Sequence, residues 1–150
     1  MKPTHLDRDG KARMVDVSGK PPLRRRAVAE GKVHFPPPVA TTLRDDPITA
    51  KGDLLAVARI AGIQGGKKCS ELIPLCHPLP LSHIGVDFAW EGDTLCITAE
   101  ATTTANTGVE MEALTAVSIA ALTVYDMAKA LSREISIGGI SLGEKTKESV

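Results

Sequence analysis

The chain has 150 residues, with 18 basic and 18 acidic side chains and no net charge when histidine is neutral. That length suits one domain with a real core, and the absence of a basic excess argues against a general nucleic-acid binder. Phe35, Phe88, Trp90 and Tyr125 are too few for a base-stacking platform, so the core is expected to be aliphatic.

Cys69, Cys76 and Cys96 make an odd count with no C-x-x-C pair. Neither a disulfide framework nor a zinc knuckle is expected, and reduced thiols suit a cytoplasmic protein. Residues 1–10 hold no apolar h-region, so no secretory signal is expected. No uninterrupted apolar stretch approaches the ~18 residues that would span a bilayer, so no membrane partner is expected.

Taken in chain order, residues 1–22 are polar and punctuated by Gly and Pro, and read as a partly flexible arm with a short extended piece at Met14–Val17. Residues 23–143 read as one α+β domain, and 144–150 as a frayed tail. Alternation predicts a strand over Arg24–Phe35, which the prolines at 36–38 end; a short helix to Arg44 follows. Residues 45–53 read as a loop. Leu54, Val57, Ala58 and Ala61 carry the i, i+3, i+4, i+7 pattern of a helix over 53–63, with Asp53 as its cap. Gly62, Gly65 and Gly66 weaken the case for helix beyond that point.

Residues 74–80 form a proline-punctuated loop. Ile84, Val86, Phe88 and Trp90 share one face of a strand, the turn Glu91–Asp93 follows, and Thr94–Thr104 is the partner strand of a hairpin. A long helix spans roughly 108–132, and Ile135–Leu142 alternates as a last strand. A central antiparallel hairpin with unevenly mixed helices predicts an α+β fold, ferredoxin-like, with helices on one face of the sheet.

The long helix is the most informative segment. It is apolar almost all round, yet Glu112, Thr115, Ser118, Thr123, Asp126 and Lys129 fall on one stripe at ~100° per residue. Charges on a helix buried on most sides must be paired, solvated in a cleft or engaged in chemistry. The bland alternative is a narrow solvent-facing stripe. Asp126 and Lys129, at i and i+3, are either an ordinary surface pair or, in a cleft, a coupled acid and base.

Other segments offer similar choices. Gly62–Lys68 (GIQGGKK) fails as a phosphate loop. Three residues separate its glycines where four are required, and Lys68 stands where a hydroxyl should be. Lys67 and Lys68 either meet an anion or solvate a helix end. His77, in the stiff loop Ile73–Leu79 (IPLCHPL), is either a substrate clamp or a histidine bonded to backbone. A Cys76–His77 dyad is improbable, because neighbours in extended chain point opposite ways. Lys51 precedes a helix N-terminus, where it either reaches a phosphate or is a plain surface lysine.

Several blocks together resemble a known family: Met14–Ser18 (MVDVS), Lys51–Asp53 (KGD), Ala58–Gln64 (ARIAGIQ), Leu72–Leu79 (LIPLCHPL), Thr107–Ala116 (TGVEMEALTA) and Leu122–Ala130 (LTVYDMAKA). They are similar to the cyclic pyranopterin monophosphate synthases of molybdenum cofactor biosynthesis, over nearly the whole span from Met14 to Leu142. The proline-rich stretch 36–47 departs from the pattern.

The resemblance implies a lyase that converts the cyclic triphosphate made from GTP by a radical-SAM enzyme into cyclic pyranopterin monophosphate, releasing pyrophosphate. It implies a ferredoxin-like fold and a homo-oligomer, a hexamer built as a trimer of dimers. It places catalysis on Asp126, Lys129 and Lys51, and substrate binding on Leu75, Cys76, His77, Met111, Glu112 and Glu110, with Lys67 and Arg25 at less distinctive positions. No cofactor is expected. The scattered His5, His34, His77 and His83 offer no metal cage, which leaves only a magnesium ion carried in by the triphosphate.

Glu110 and Asp126 stand 16 positions apart, roughly 24 Å along a helix. One small substrate cannot easily touch both ends, so a composite site shared by two chains is expected. The rival to an enzyme is a non-catalytic oligomeric nucleotide-binding module whose charged stripe pairs across an interface.

Overall fold

Alternation of small apolar and polar side chains builds the central sheet of the computed structural model, which describes residues 3–150. Strand β1 (Leu23–His34) turns Ala27, Ala29 and Val33 inward and leaves Glu30, Lys32 and His34 in solvent. Helix α1 (Pro37–Asp45) then buries Ala40 and Leu43. The expected loop at 45–53 contains a two-residue-per-strand ribbon, β2 (Ile48–Thr49) with β3 (Gly52–Asp53). Gly52 has φ +111°, a value that side chains rarely adopt, and this turn presents Lys51 at the ribbon's tip.

Helix α2 (Leu54–Lys67) starts on the expected cap, the Asp53 carboxylate accepting from the Ala56 N–H at 3.1 Å. The single turn α3 (Cys69–Leu72) leads into the proline loop. The hairpin forms as expected, from β4 (Leu81–Glu91) and β5 (Thr94–Ala105). Helix α4 (Glu110–Ala128) and strand β6 (Ser136–Glu148) complete the chain. The sheet order is β4-β5-β1-β6, with every neighbour antiparallel. The two main helices lie together over one face, α4 on β1 and β5 and α2 on β4. This is the ferredoxin-like α+β arrangement.

The core is thin because its side chains are small. Ala113, Ala116, Ala120, Ala121 and Ala128 of α4 and Ala27, Ala29, Ala99 and Ala101 of the sheet are all fully buried, with Ala116 and Ala120 turned toward Gly66 and Gly62 of α2. By length and composition α4 would also suit a membrane span, but its inner face is filled by the sheet, and Glu110, Glu112 and Asp126 interrupt it.

Two expectations are corrected. Helix α2 does not end near Ile63 but continues to Lys67. Its glycines are places of close approach: a Cβ on Gly62 would stand 2.9 Å from the Ala116 carbonyl oxygen and 3.1 Å from the Ala120 Cβ. Tight crossing against α4 therefore outweighs weak helix propensity. The strand expected to end at Leu142 instead runs through most of the expected tail at 144–150, since β6 pairs with β1 as far as Glu148, opposite Arg24. Every β6 side chain from Gly139 onward is exposed, so the polar sequence reads as tail while the backbone completes a ladder.

Candidate active site

Two groups of functional side chains stand at opposite ends of α4. At its C-terminal end, Asp126 takes one ammonium on each carboxylate oxygen. Lys51 Nζ lies 2.9 Å from Oδ2, and Lys129 Nζ lies 2.9 Å from Oδ1. Lys129 follows one helical turn later on the same face, whereas Lys51 arrives from the β2–β3 ribbon. The hydrogen bond from Lys129, and then that from Lys51, hold the Asp126 carboxyl down at about 2. The same bond raises Lys129. All three side chains are about half exposed, so they remain accessible to an incoming anion. Lys51 and Asp126 border a cavity of ≈ 290 Å³ walled by Leu43, Ile48, Met127 and Leu131. A carboxylate that stays ionised between two ammonium groups can bind phosphate oxygens through those cations. It acts as a base only once a cation is drawn away.

At the N-terminal end, the backbone reversal after α3 brings the loop 74–80 against the first turn of α4. Glu112 is only 3% exposed. Its Oε1 lies 3.9 Å from the Cys76 sulfur, and its Oε2 is buried with no partner among the described residues. Burial pushes its carboxyl up to about 7. Burial also raises the Cys76 thiol, which the Glu112 charge pushes further, to about 12. Cys76 is therefore no thiolate nucleophile at neutral pH, in line with the rejection of a Cys–His dyad.

His77 Nε2 stands 2.7 Å from the Val15 carbonyl; bonded to an acceptor-only group, it carries the proton there. This bond to backbone ties the N-terminal arm to the loop. Asn106 adds a second tie, donating to the Val17 carbonyl at 3.0 Å. Glu110 pairs with Lys145 of β6 at 3.2 Å and keeps its other oxygen buried with no partner among the described residues. Leu75, Cys76, His77, Glu110 and Met111 line a cavity of ≈ 250 Å³.

The structure thus gathers Lys51, Asp126 and Lys129 at one end and Leu75, Cys76, His77, Glu110, Met111 and Glu112 at the other, and does not join the two groups within one chain. Lys67 belongs to neither. It borders a separate cavity of ≈ 460 Å³ with Ile63, Leu79 and His83. Arg25 donates from Nε to the Ala105 carbonyl at 3.1 Å, where it anchors the end of β5 just before the 106–109 turn into α4.

The polar stripe is not uniform. Glu112 and Thr115 are buried, and Asp126 and Lys129 are exposed. Ser118 and Thr123 donate to carbonyls of their own helix at 2.8 and 2.7 Å. Leu122, 57% exposed, stands among them, so α4 is not covered on this side by its own chain. Sequence reasoning also missed Cys69, whose sulfur lies 3.7 Å from that of Cys76. It likewise missed Lys145, whose polar neighbours read as tail.

Residues 14–148 match the model of the MoaC family. The chain is 54% identical to a cyclic pyranopterin monophosphate synthase of Brevibacillus brevis over 144 residues, covering 95% of this chain and 89% of that one. Identity is also 54% to the protein of that name from Thermomicrobium roseum, covering 95% and 86% respectively. A molybdenum cofactor biosynthesis bifunctional protein of Chlorobaculum tepidum is 51% identical over 97% of this chain, which spans 46% of that longer protein. Matched over nearly its whole length by family model and relatives alike, the chain belongs to the MoaC family.

Proposed function

We propose that this chain is a cyclic pyranopterin monophosphate synthase of molybdenum cofactor biosynthesis, acting as a lyase on the cyclic triphosphate that a radical-SAM enzyme makes from GTP. The observation that supports it best is the Lys51–Asp126–Lys129 constellation. Two segments 75 positions apart in sequence meet on one carboxylate, and they are the segments to which the family resemblance assigns catalysis.

In this reading the triphosphate meets Lys51 first, because that ammonium sits on the tip of a two-strand ribbon. Phosphate oxygens compete with Asp126 for the Lys51 ammonium, and pyrophosphate departs as charge is taken up by Lys51 and Lys129. Lys129 is kept protonated by Asp126 and is the proton donor of the pair. Asp126, freed of one cation, becomes the acceptor. Glu110, Glu112 and the backbone of 75–77 take the purine-derived ring, whose N–H groups need acceptors. No cofactor is called for, and a magnesium ion would arrive with the triphosphate. The working form is a cytoplasmic homo-oligomer, a trimer of dimers.

Turnover of purified cyclic triphosphate by Asp126→Ala and Lys129→Ala chains tests the assignment. Both are expected to lose turnover while remaining folded and assembled. A wild-type rate in either overturns the roles of Asp126 and Lys129 and favours the non-catalytic nucleotide-binding module.

A further inference from the structure

Three potential metal-ligand atoms converge beneath the loop that carries His77. The sulfurs of Cys69 and Cys76 are 3.7 Å apart, Glu112 Oε1 is 3.9 Å from the Cys76 sulfur, and all three atoms lie within 4.8 Å of one another. They come from three places in the chain: α3, the proline loop and the first turn of α4.

The spacing is that of a ligand set. With metal–sulfur bonds of about 2.3 Å, the sulfur–sulfur edge of a tetrahedron is roughly 3.8 Å, and a sulfur–oxygen edge is roughly 3.6 Å. A disulfide would instead need its sulfurs about 2.05 Å apart, so the pair is set for a shared ligand rather than for a bond. A second observation points the same way. Glu112 is 3% exposed and its Oε2 has no partner among the described residues, a costly arrangement for a buried carboxyl unless something meets it. The Thr115 hydroxyl donates to the Cys69 sulfur at 3.4 Å, the outer contact that orients a ligand atom. The cavity of ≈ 250 Å³ is lined by Cys76 and supplies an entry path and room for a fourth, exchangeable ligand.

We propose that Cys69, Cys76 and Glu112 form a binding site for one soft divalent cation of the zinc class, with its fourth position open to the cavity beside His77. Two sulfurs select against magnesium and calcium, which take oxygen ligands. A carboxylate as third ligand suits a divalent ion. Coordination would displace the two thiol protons to solvent.

The test uses the full-length, untagged protein, stripped with a chelator, reduced, and titrated with cobalt(II) as a spectroscopic probe. One cobalt per chain is expected, with sulfur-to-cobalt charge transfer in the near ultraviolet, intense tetrahedral bands in the visible, and displacement of both by zinc. Cys69→Ser and Cys76→Ser should each lower the charge-transfer intensity by about half and weaken cobalt binding at least tenfold, whereas Cys96→Ser should change neither. Cys69 is buried, so its variant is scored only if circular dichroism shows it folded. Cys76, half-buried, provides the second, decisive variant. Absence of the charge-transfer band in the reduced wild-type protein overturns the site, as does an undiminished band in Cys76→Ser. The readout is independent of turnover, so it stands or falls separately from the proposed reaction.

Discussion

Replacing Gly62 by alanine should loosen the packing that sets the two ends of the candidate site. In α2 the new Cβ would stand 2.9 Å from the Ala116 carbonyl oxygen, 3.0 Å from Val86 Cγ2 and 3.1 Å from Ala120 Cβ. Two of these three obstacles are backbone or a Cβ of α4, which cannot rotate away, so the helices must part. Overpacking costs about 1–3 kcal/mol, and obstacles this rigid put it at the upper end, about 2–3 kcal/mol. Alanine's better helix propensity returns about 1 kcal/mol, which leaves a net loss of about 1–2 kcal/mol. For a chain of this size that lowers the melting temperature by roughly 2–8 °C. Gly66→Ala is the informative control. Its nearest obstacle is the tip of the Ile84 side chain, which can turn aside, and the rigid Glu112 carbonyl oxygen and Ala116 Cβ, at 3.1 and 3.3 Å, each stand slightly farther off than their counterparts at Gly62. Urea and thermal unfolding of both variants at one protein concentration are the assay, with turnover measured alongside. Gly62→Ala should be the less stable and the less active. If it matches or exceeds wild-type stability, the crossing has slack and close approach does not explain these glycines.

Lys51→Ala should weaken binding of a GTP-like triphosphate by roughly tenfold, about 1.4 kcal/mol, and more at low than at high salt. The loss is compounded because it removes one of the two cations that cover Asp126; equal affinity at two ionic strengths would remove Lys51 from the phosphate site. The acid limb of stability gives an independent check. The Asp126 carboxyl is lowered from 3.8 to about 2 in the folded chain, so its ion pairs stabilise above the unfolded value near 3.8 and are lost as pH falls through about 2. Asp126→Asn should therefore unfold more easily in urea than wild type at pH 6 and converge with it near pH 2; a difference that stays constant with pH would refute the pairing.

Legibility in the sequence followed the range of each interaction. The β4–β5 hairpin is readable because its face alternates at period two and its turn is local. Asp53 as a cap, and Asp126 with Lys129 at i and i+3, are likewise short-range facts. Lys51 meeting Asp126 is not, since nothing near residue 51 specifies a partner 75 positions on; only family resemblance suggests it. Cys69 and Cys76 follow no metal-ligand spacing, and they meet because α3 and the proline loop reverse the chain beneath α4. The end of β6 is hidden for the opposite reason. Its exposed polar side chains record no core contact, and what orders it is backbone pairing to β1 with the Arg26–Glu144 and Lys145–Glu110 ion pairs. The α2 glycines mislead because local propensity and tertiary packing make opposite demands at a close crossing.

The geometry of α4 leads to the last prediction. Its two functional ends are roughly 24 Å apart, and the cavities there, ≈ 250 and ≈ 290 Å³, each fall below the ~300 Å³ at which small-molecule sites usually begin. Each is small for a nucleotide-sized substrate by itself. The helix face between them leaves Leu122 57% exposed, with Ile60 of α2 at 55% and Val57 at 43%, a surface that a second copy would cover. Under a two-fold axis the N-terminal end of one α4 can approach the C-terminal end of its neighbour's, which makes two equivalent sites. Lys51, Asp126 and Lys129 would then come from one chain and Glu110 and Glu112 from the other. Subunit mixing tests this. An Asp126→Ala chain and a Glu112→Ala chain, each inactive alone, are unfolded together, refolded, and separated by differently charged tags so that only mixed oligomers are assayed. In a mixed dimer one interface site carries both lesions and the other carries none, so about half the wild-type activity per dimer should return. Verified hetero-oligomers that stay inactive would mean that each site is completed within its own chain, with α2 and α4 covered for stability alone.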